Sequence, residues 1–173
     1  MNKNSLFNLI FICLIPFAVL LFSATNKKED QTKYIYLVRH AEKDLTDSTD
    51  NPPLTPEGEA RAQRLVEEFA AIELDQIFST RYERNMNTVR PLAEKKNKSI
   101  ETYLWKDYEN LVMKIKSTAS NSILICGHGD NLLPIIALFG GKSPLKQLGH
   151  NEYDKLFKIT YHPKKTKVKM WTY

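Results

Sequence analysis

Cysteine is scarce in this chain, which has only Cys13 and Cys126 among its 173 residues. Cys13 falls in an N-terminal apolar run and Cys126 in the apolar stretch SILIC, so the part expected to fold has no second cysteine for a disulfide. Histidine is also rare, with four residues, none at the i, i+4 spacing of a helical zinc site. A disulfide-stapled scaffold is therefore excluded, and about 148 residues must be stabilised by their core.

Long apolar runs are missing except for residues 9–22, LIFICLIPFAVLLF. These 14 residues follow the basic Lys3 and precede small residues, which is typical of a secretory signal, whereas a membrane-spanning helix needs about 20 apolar residues. We expect cleavage after Thr25, or else an uncleaved membrane anchor. The predicted protein is thus exported, periplasmic or otherwise extracytoplasmic, or anchored to the membrane. It has three segments: a signal peptide or anchor (1–25), a linker (26–32) and a domain (33–173).

Neither an acidic excess nor an internal repeat is present, and the formal net charge is +5. Four lysines crowd the C-terminal region at positions 164, 165, 167 and 169. Such a cluster is typical of a solvated hairpin, and export makes nucleic acid an unsuitable partner. We therefore expect no nucleic-acid binding, and a membrane contact only if the N-terminal segment stays uncleaved. The positive charge favours anionic substrates by steering.

Strand-like and helix-like segments alternate along the predicted domain. Thr55 and Pro56 form a helix start signal, and apolar residues then recur at helical spacing from Ala62 to Ile72. Similar helical segments follow the strand-like stretches DQIFST, SIETYLW and NSILICGH, and two strand-like stretches close the chain around HPKKT. The pattern predicts an α/β fold, with a mostly parallel sheet, helices on both faces and an antiparallel C-terminal hairpin at the edge.

Residues suited to anion chemistry stand at the ends of three predicted strands. Arg39 and His40 follow the apolar strand in IYLVRHAEK, residues 79–84 follow the second strand, and His128 follows the fourth. Ligands bind at the carboxyl edge of an open α/β sheet, so these residues are expected to share one pocket.

Four motifs, LVRHAEK, PLTPEGEARA, FSTRYERNMNT and ILICGHGDN, resemble those of the histidine phosphatase superfamily in its phosphoglycerate-mutase-like branch. The resemblance covers nearly all of residues 33–161, in the same order and at the usual separations. It implies a phosphomonoesterase that acts on a small phosphorylated substrate, such as a sugar phosphate or an envelope phosphate, and that needs no metal and no cofactor.

The resemblance also implies a role for each residue. His40 would be the nucleophile, and its ring nitrogen would form a phosphohistidine intermediate. Arg39 and Arg84 would bind the phosphoryl oxygens, and His128 would supply a second imidazole. Arg81 is the alternative to Arg84, because it stands where the family usually has proline.

The proton donor is the point at which this chain departs from the family. Related enzymes use a glutamate after the third strand or an aspartate directly after the second histidine, but Gly129 stands there. Glu109 and Asp130 are the candidate acids, and Asp130 is also a candidate substrate ligand.

Two alternative functions stay open at this stage. A protein phosphohistidine phosphatase would need little acid, and a phosphate-binding envelope module would turn over slowly or not at all. Substrate specificity is expected to reside in the loops Asp44–Pro53 and Lys142–Asn151.

Overall fold

The computed structural model describes residues 31–173, which form six strands and four helices. The predicted signal or anchor and most of the predicted linker lie outside these residues, so both remain predictions. In chain order the elements are β1 (Lys33–Arg39), α1 (Pro56–Glu68), β2 (Gln76–Thr80), α2 (Glu83–Lys95), β3 (Ile100–Tyr103), α3 (Tyr108–Ser117), β4 (Ser122–Gly127), α4 (Leu132–Leu138), β5 (Lys155–Tyr161) and β6 (Lys167–Thr172).

All six strands belong to one sheet, in the order β3-β2-β4-β1-β5-β6. The pairs β1–β4, β2–β4 and β2–β3 are parallel, whereas β1–β5 and β5–β6 are antiparallel. The predicted fold class, a mostly parallel α/β sheet edged by an antiparallel hairpin, is confirmed.

Helix α1 begins at the residues that the sequence predicts. The Thr55 hydroxyl accepts a hydrogen bond from the Gly58 backbone N–H at 3.1 Å, and Pro56 occupies the first helical position. The helix ends at Glu68, four residues before the last residue of the predicted apolar pattern, and Phe69 is its C-cap. Helix α2 begins at Glu83, later than the predicted segment, and continues through Pro91.

Each face of the sheet is covered by two helices. On one face, residues of α3 and α4 such as Ile115 and Ile136 pack against β1 and β4. On the other face, Leu65 of α1 and Leu92 of α2 pack against the opposite side of the same strands. Strands β1 and β4 are therefore buried on both sides, which explains their nearly continuous apolar sequences. Among residues 31–173, no helix is long and apolar enough to cross a membrane.

The topology fixes where the polar strand ends meet. Strands β1, β2 and β4 are neighbours and run in the same direction, so Arg39, Thr80 and Gly127 end at one edge of the sheet. Residues far apart in sequence therefore come together at this edge, as the crossover connections require.

Candidate active site

Two histidines face each other at the carboxyl edge of the sheet. Arg39 pairs with Gly127 across β1 and β4, and the backbone N–H of His40 donates to the Gly127 carbonyl at 3.0 Å. This pairing brings the rings of His40 and His128 to a centroid distance of 5.5 Å. The close pair thus follows directly from strand register.

His40 is held in one tautomer. Its Nδ1 lies 2.8 Å from the backbone carbonyl oxygen of Ala41, and because a carbonyl can only accept, Nδ1 carries the proton. Burial lowers the pKa of His40 to about 3, and the nearby Arg39, His128 and Arg84 act in the same direction. The ring is therefore neutral at pH 7, and the lone pair of Nε2 is available for attack on an electrophile.

His128 is also buried and neutral at pH 7. Burial and the charge of Arg84 lower its pKa to about 4. Its Nε2 lies 2.9 Å from the Thr80 hydroxyl oxygen at the end of β2, and its backbone N–H donates to the Asn131 side chain at 2.8 Å. Thr80 therefore holds the ring beside His40, Asn131 holds the backbone, and Nδ1 is the ring nitrogen left for another partner.

Arg39 joins the site to the segment that precedes β5. Its Nη1 donates to the backbone carbonyls of Gly149 at 3.1 Å and His150 at 2.8 Å. Its guanidinium carbon stacks 4.3 Å from the centre of the Tyr153 ring. Nε is buried and has no hydrogen-bond partner among the described residues, so a charged donor is left over for an anion.

Arg84 is half-buried and brings a second guanidinium close to Arg39. Its Nε and Nη1 are buried without a partner in the described part of the chain, and its guanidinium carbon lies 4.4 Å from the centre of the Tyr82 ring. Burial and the charge of Arg39 lower the pKa of Arg84, and Arg84 in turn lowers the pKa of both histidines. Arg81, the alternative, is exposed in the bend before α2.

The backbone around these groups is braced by residues of the same motifs. The Thr88 hydroxyl accepts from the Ala41 N–H at 2.8 Å and donates to the Arg84 carbonyl at 2.7 Å, which ties α2 to the residue after His40. Glu42 receives hydrogen bonds from Arg61 of α1 at 2.5 to 2.9 Å. Both links hold the Arg39–His40 turn in place.

A cavity of about 730 Å³ opens onto the two histidines. Arg84 does not line it, although it acts electrostatically on both rings. The lining residues come from the ends of β1 and β4, from Trp105 and the start of α4, and from the loop before β5. They are Arg39, His40, Lys43, Trp105, His128, Gly129, Asp130, Leu133, Pro134, Lys146, Gln147, Leu148, Gly149 and His150.

The two candidate acids lie in different places. Asp130 lines the cavity, and its Oδ1 accepts a hydrogen bond from the Trp105 indole N–H at 3.1 Å. Glu109 is exposed in the first turn of α3 and is not among the lining residues. The geometry thus favours Asp130 and gives no support to Glu109.

Several aromatic residues of the site are not predicted by the sequence motifs. Tyr153 packs 5.8 Å from the His40 ring, and Tyr82 and Trp105 pack 5.2 and 5.5 Å from the His128 ring. Tyr82 lies within the FSTRYERNMNT motif, which was a usable signal. Tyr153 and Trp105 carry no motif, and only the tertiary fold reveals them.

The donors that the described residues bring to the site are suited to an anion. Within residues 31–173, no group of three or more histidine, cysteine, aspartate or glutamate side chains could hold a metal ion. Buried guanidinium N–H groups beside a neutral imidazole can neutralise a tetrahedral oxyanion directly.

Comparison with solved structures shows the same fold in several phosphate enzymes. A mycobacterial glucosyl-3-phosphoglycerate phosphatase, solved with VO3, is 11% identical with a TM-score of 0.65 over 82% of this chain and 98% of that one. A phosphoglycerate mutase from Bacillus anthracis is 12% identical with a TM-score of 0.65, over 83% and 94%. An alpha-ribazole phosphatase from Shigella flexneri is 14% identical with a TM-score of 0.62, over 81% and 96%. At such identities the likeness shows the fold alone.

Sequence comparison finds a family match for part of the chain. No curated protein sequence matches the chain. Residues 35–107, which contain Arg39, His40 and Arg84, match the model of the histidine phosphatase superfamily, branch 1. His128 lies beyond the match, and the structure places it beside His40. This part of the chain is therefore similar to the histidine phosphatase superfamily, branch 1, and the described residues share the fold of the solved phosphatases and mutase.

Proposed function

We propose that this protein is a phosphomonoesterase that hydrolyses a small phosphate ester through a phosphohistidine on His40. The match of residues 35–107 to the histidine phosphatase superfamily supports a phosphatase enzyme. The observation that carries the mechanism is the placement of a neutral His40, its proton held on Nδ1, near two guanidinium groups that each keep buried donors without a partner among the described residues. These donors are Nε of Arg39 and Nε and Nη1 of Arg84. That arrangement suits a tetrahedral dianion in contact with a nucleophilic nitrogen.

The reaction takes two displacements. In the first, the Nε2 lone pair of His40 forms a bond to phosphorus, the ester P–O bond breaks, and the electron pair leaves with the alcohol oxygen, which takes up a proton. In the second, water attacks phosphorus, the N–P bond breaks, the electron pair returns to Nε2, and inorganic phosphate leaves. Arg39, Arg84 and His128 stabilise the charge on the phosphoryl oxygens in both steps.

Asp130 is the carboxyl group that can protonate the leaving oxygen, because it lies in the cavity. An alkoxide leaves poorly without an acid, whereas p-nitrophenolate leaves without one. We expect Asp130→Asn to lower kcat on an alkyl phosphate by about 100-fold and to have little effect on p-nitrophenyl phosphate. Glu109→Gln is the matched control. An equal loss on both substrates, or a larger loss for Glu109→Gln, would reject Asp130 as the acid.

Hydrolysis itself is tested by release of inorganic phosphate from a panel of small phosphate monoesters by the full-length protein and by His40→Asn. We expect turnover by the unsubstituted protein alone. Binding of phosphate esters without turnover of any of them would replace the enzyme with a phosphate-binding module. Turnover confined to phosphohistidine proteins would favour a protein phosphohistidine phosphatase.

We also propose that the protein works outside the cytoplasm, on the grounds of the basic start and the apolar run at residues 9–22. Cell fractionation with an epitope at the C-terminus tests this proposal. We expect the protein in the envelope fraction, either shortened by about 25 residues or full-length in the membrane. Unprocessed protein in the cytosol would contradict it.

A further inference from the structure

The cavity holds more cations than a single phosphate needs. Lys43 and Lys146 line it in addition to Arg39, and Asp130 is its one lining carboxylate. Neither lysine forms an ion pair with any of the described residues. A phosphate dianion at His40 is balanced by Arg39 of the cavity and by Arg84, which lies near Arg39 but outside the lining, and Asp130 offsets one lysine. The cavity thus keeps an excess positive charge beyond the reacting phosphate.

The two lysines differ from the arginines in their effect on the histidines. The cations that lower the pKa of His40 are the two arginines. At His128 the effect of Lys43 is smaller than those of Arg84 and Arg39. Lys43 is half-buried, with its backbone held by a bridge to Leu54, and Lys146 is exposed in the loop before β5. The arginines therefore serve the reacting phosphate, and the lysines are available to another group.

The rest of the lining is suited to an organic body. Leu133 and Pro134 of α4, with Leu148 of the loop, contribute apolar surface. A volume of about 730 Å³ lies within the range of roughly 300 to 1,000 Å³ that accommodates a drug-sized ligand, far more than one phosphate occupies. The cavity therefore has room for a substantial leaving group.

We propose that the alcohol half of the substrate carries a second anionic group, separated from the reacting phosphate by an apolar body and bound by Lys43 and Lys146. This inference rests on the proposed function, since it identifies the class of ester that the same cavity accepts. A phosphate ester with a neutral alcohol would leave one lysine charge in the cavity without a counter-charge.

Calorimetric titration of the full-length protein with two phosphonates tests the proposal, because phosphonates bind without being hydrolysed. Hexane-1,6-bisphosphonate carries the second anion, and hexylphosphonate lacks it. After correction for the two equivalent ends, we expect the bisphosphonate to bind about tenfold more tightly at low salt, with a smaller preference at high salt.

Lysine variants test which residues cause the preference for the bisphosphonate over hexylphosphonate. Lys43→Met and Lys146→Met should each reduce it by about threefold, and Lys43→Arg should retain it. Lys142→Met, an exposed lysine of the same loop outside the cavity, should leave both affinities unchanged. Equal affinity for the two phosphonates would overturn the proposal. So would a lysine variant that weakens both equally, because that lysine would then bind the reacting phosphate.

Turnover separates this inference from the proposed function. Hydrolysis of hexyl phosphate without a preference for the bisphosphonate would reject the second anion site and leave the phosphatase standing. A preference for the bisphosphonate without hydrolysis of any ester would support the second anion site and reject the enzyme.

Discussion

Replacement of Arg84 should separate anion binding from stability. The Arg84 guanidinium has two buried nitrogens without partners among the described residues, and it lies near the like-charged Arg39. Its lowered pKa means that the surroundings disfavour its charge in the absence of an anion. Arg84→Met keeps most of the apolar volume and removes that charge, so it should weaken phosphate binding strongly and cost the unliganded protein little.

Arg84→Met should have a large effect on phosphate affinity and a small effect on the stability of the unliganded protein. A hydrogen bond from a charged donor contributes about 1.5 to 3 kcal/mol, so loss of one such bond lowers phosphate affinity at least roughly tenfold. In the unliganded protein, Arg84→Met removes the contact with the Tyr82 ring at 4.4 Å, worth about 0.5 to 1 kcal/mol, and also removes the repulsion from Arg39. The melting temperature without phosphate should therefore change little.

Thermal unfolding with and without phosphate measures both quantities. At 100 times its dissociation constant, phosphate should stabilise the unsubstituted protein by about 2.7 kcal/mol, and at the same concentration Arg84→Met should lose about half of this or more. Arg81→Met is the control and should keep the full shift, because Arg81 is exposed before α2. If Arg81→Met loses the shift, or Arg84→Met keeps it while melting much earlier, the assignment of Arg84 to the phosphate is wrong.

Two further predictions concern stability. The pKa values of His40 and His128 fall from 6.5 to about 3 and about 4 on folding. The unfolded state therefore binds more protons than the folded state below pH 6.5. Protonation of the unfolded state should cost up to roughly 2 kcal/mol of folding stability per histidine at pH 5. Urea unfolding at pH 7.5 and pH 5 should show this loss and a smaller one in the double asparagine variant; equal stability at both values would contradict it. Glu42→Gln leaves the largely buried Arg61 without its carboxylate, and should lower the free energy of unfolding by about 3 kcal/mol, against a small effect for the exposed Glu59→Gln.

The fold could be predicted from sequence because its signals are local. The start of α1 at Thr55 and Pro56, and the buried strands that end in Arg39 and Gly127, each follow from a few neighbouring residues. Parallel crossovers then place the strand ends together, so the proximity of His40 and His128 was also predictable.

The remainder of the site depends on long-range packing. Nothing near Tyr153 in the sequence indicates that its ring will lie against Arg39, 114 positions earlier in the chain. The region of the chain after β3 favours Glu109 as an acid, but only the packing of α3 decides which of its residues face the cavity. The loop Lys142–Asn151 is predicted to determine substrate specificity, and five of its residues line the cavity. No sequence motif indicates that Lys146 is one of them.

The central claim is that phosphate passes through His40, and rapid-quench trapping tests it most directly. The full-length protein is mixed with a labelled phosphate ester, quenched within one turnover, digested and mapped. We expect an acid-labile, base-stable label on the peptide that contains His40, and neither label nor hydrolysis in a folded His40→Ala variant. An acid-stable label on Ser79 or Thr80, or undiminished hydrolysis by His40→Ala, would contradict the account.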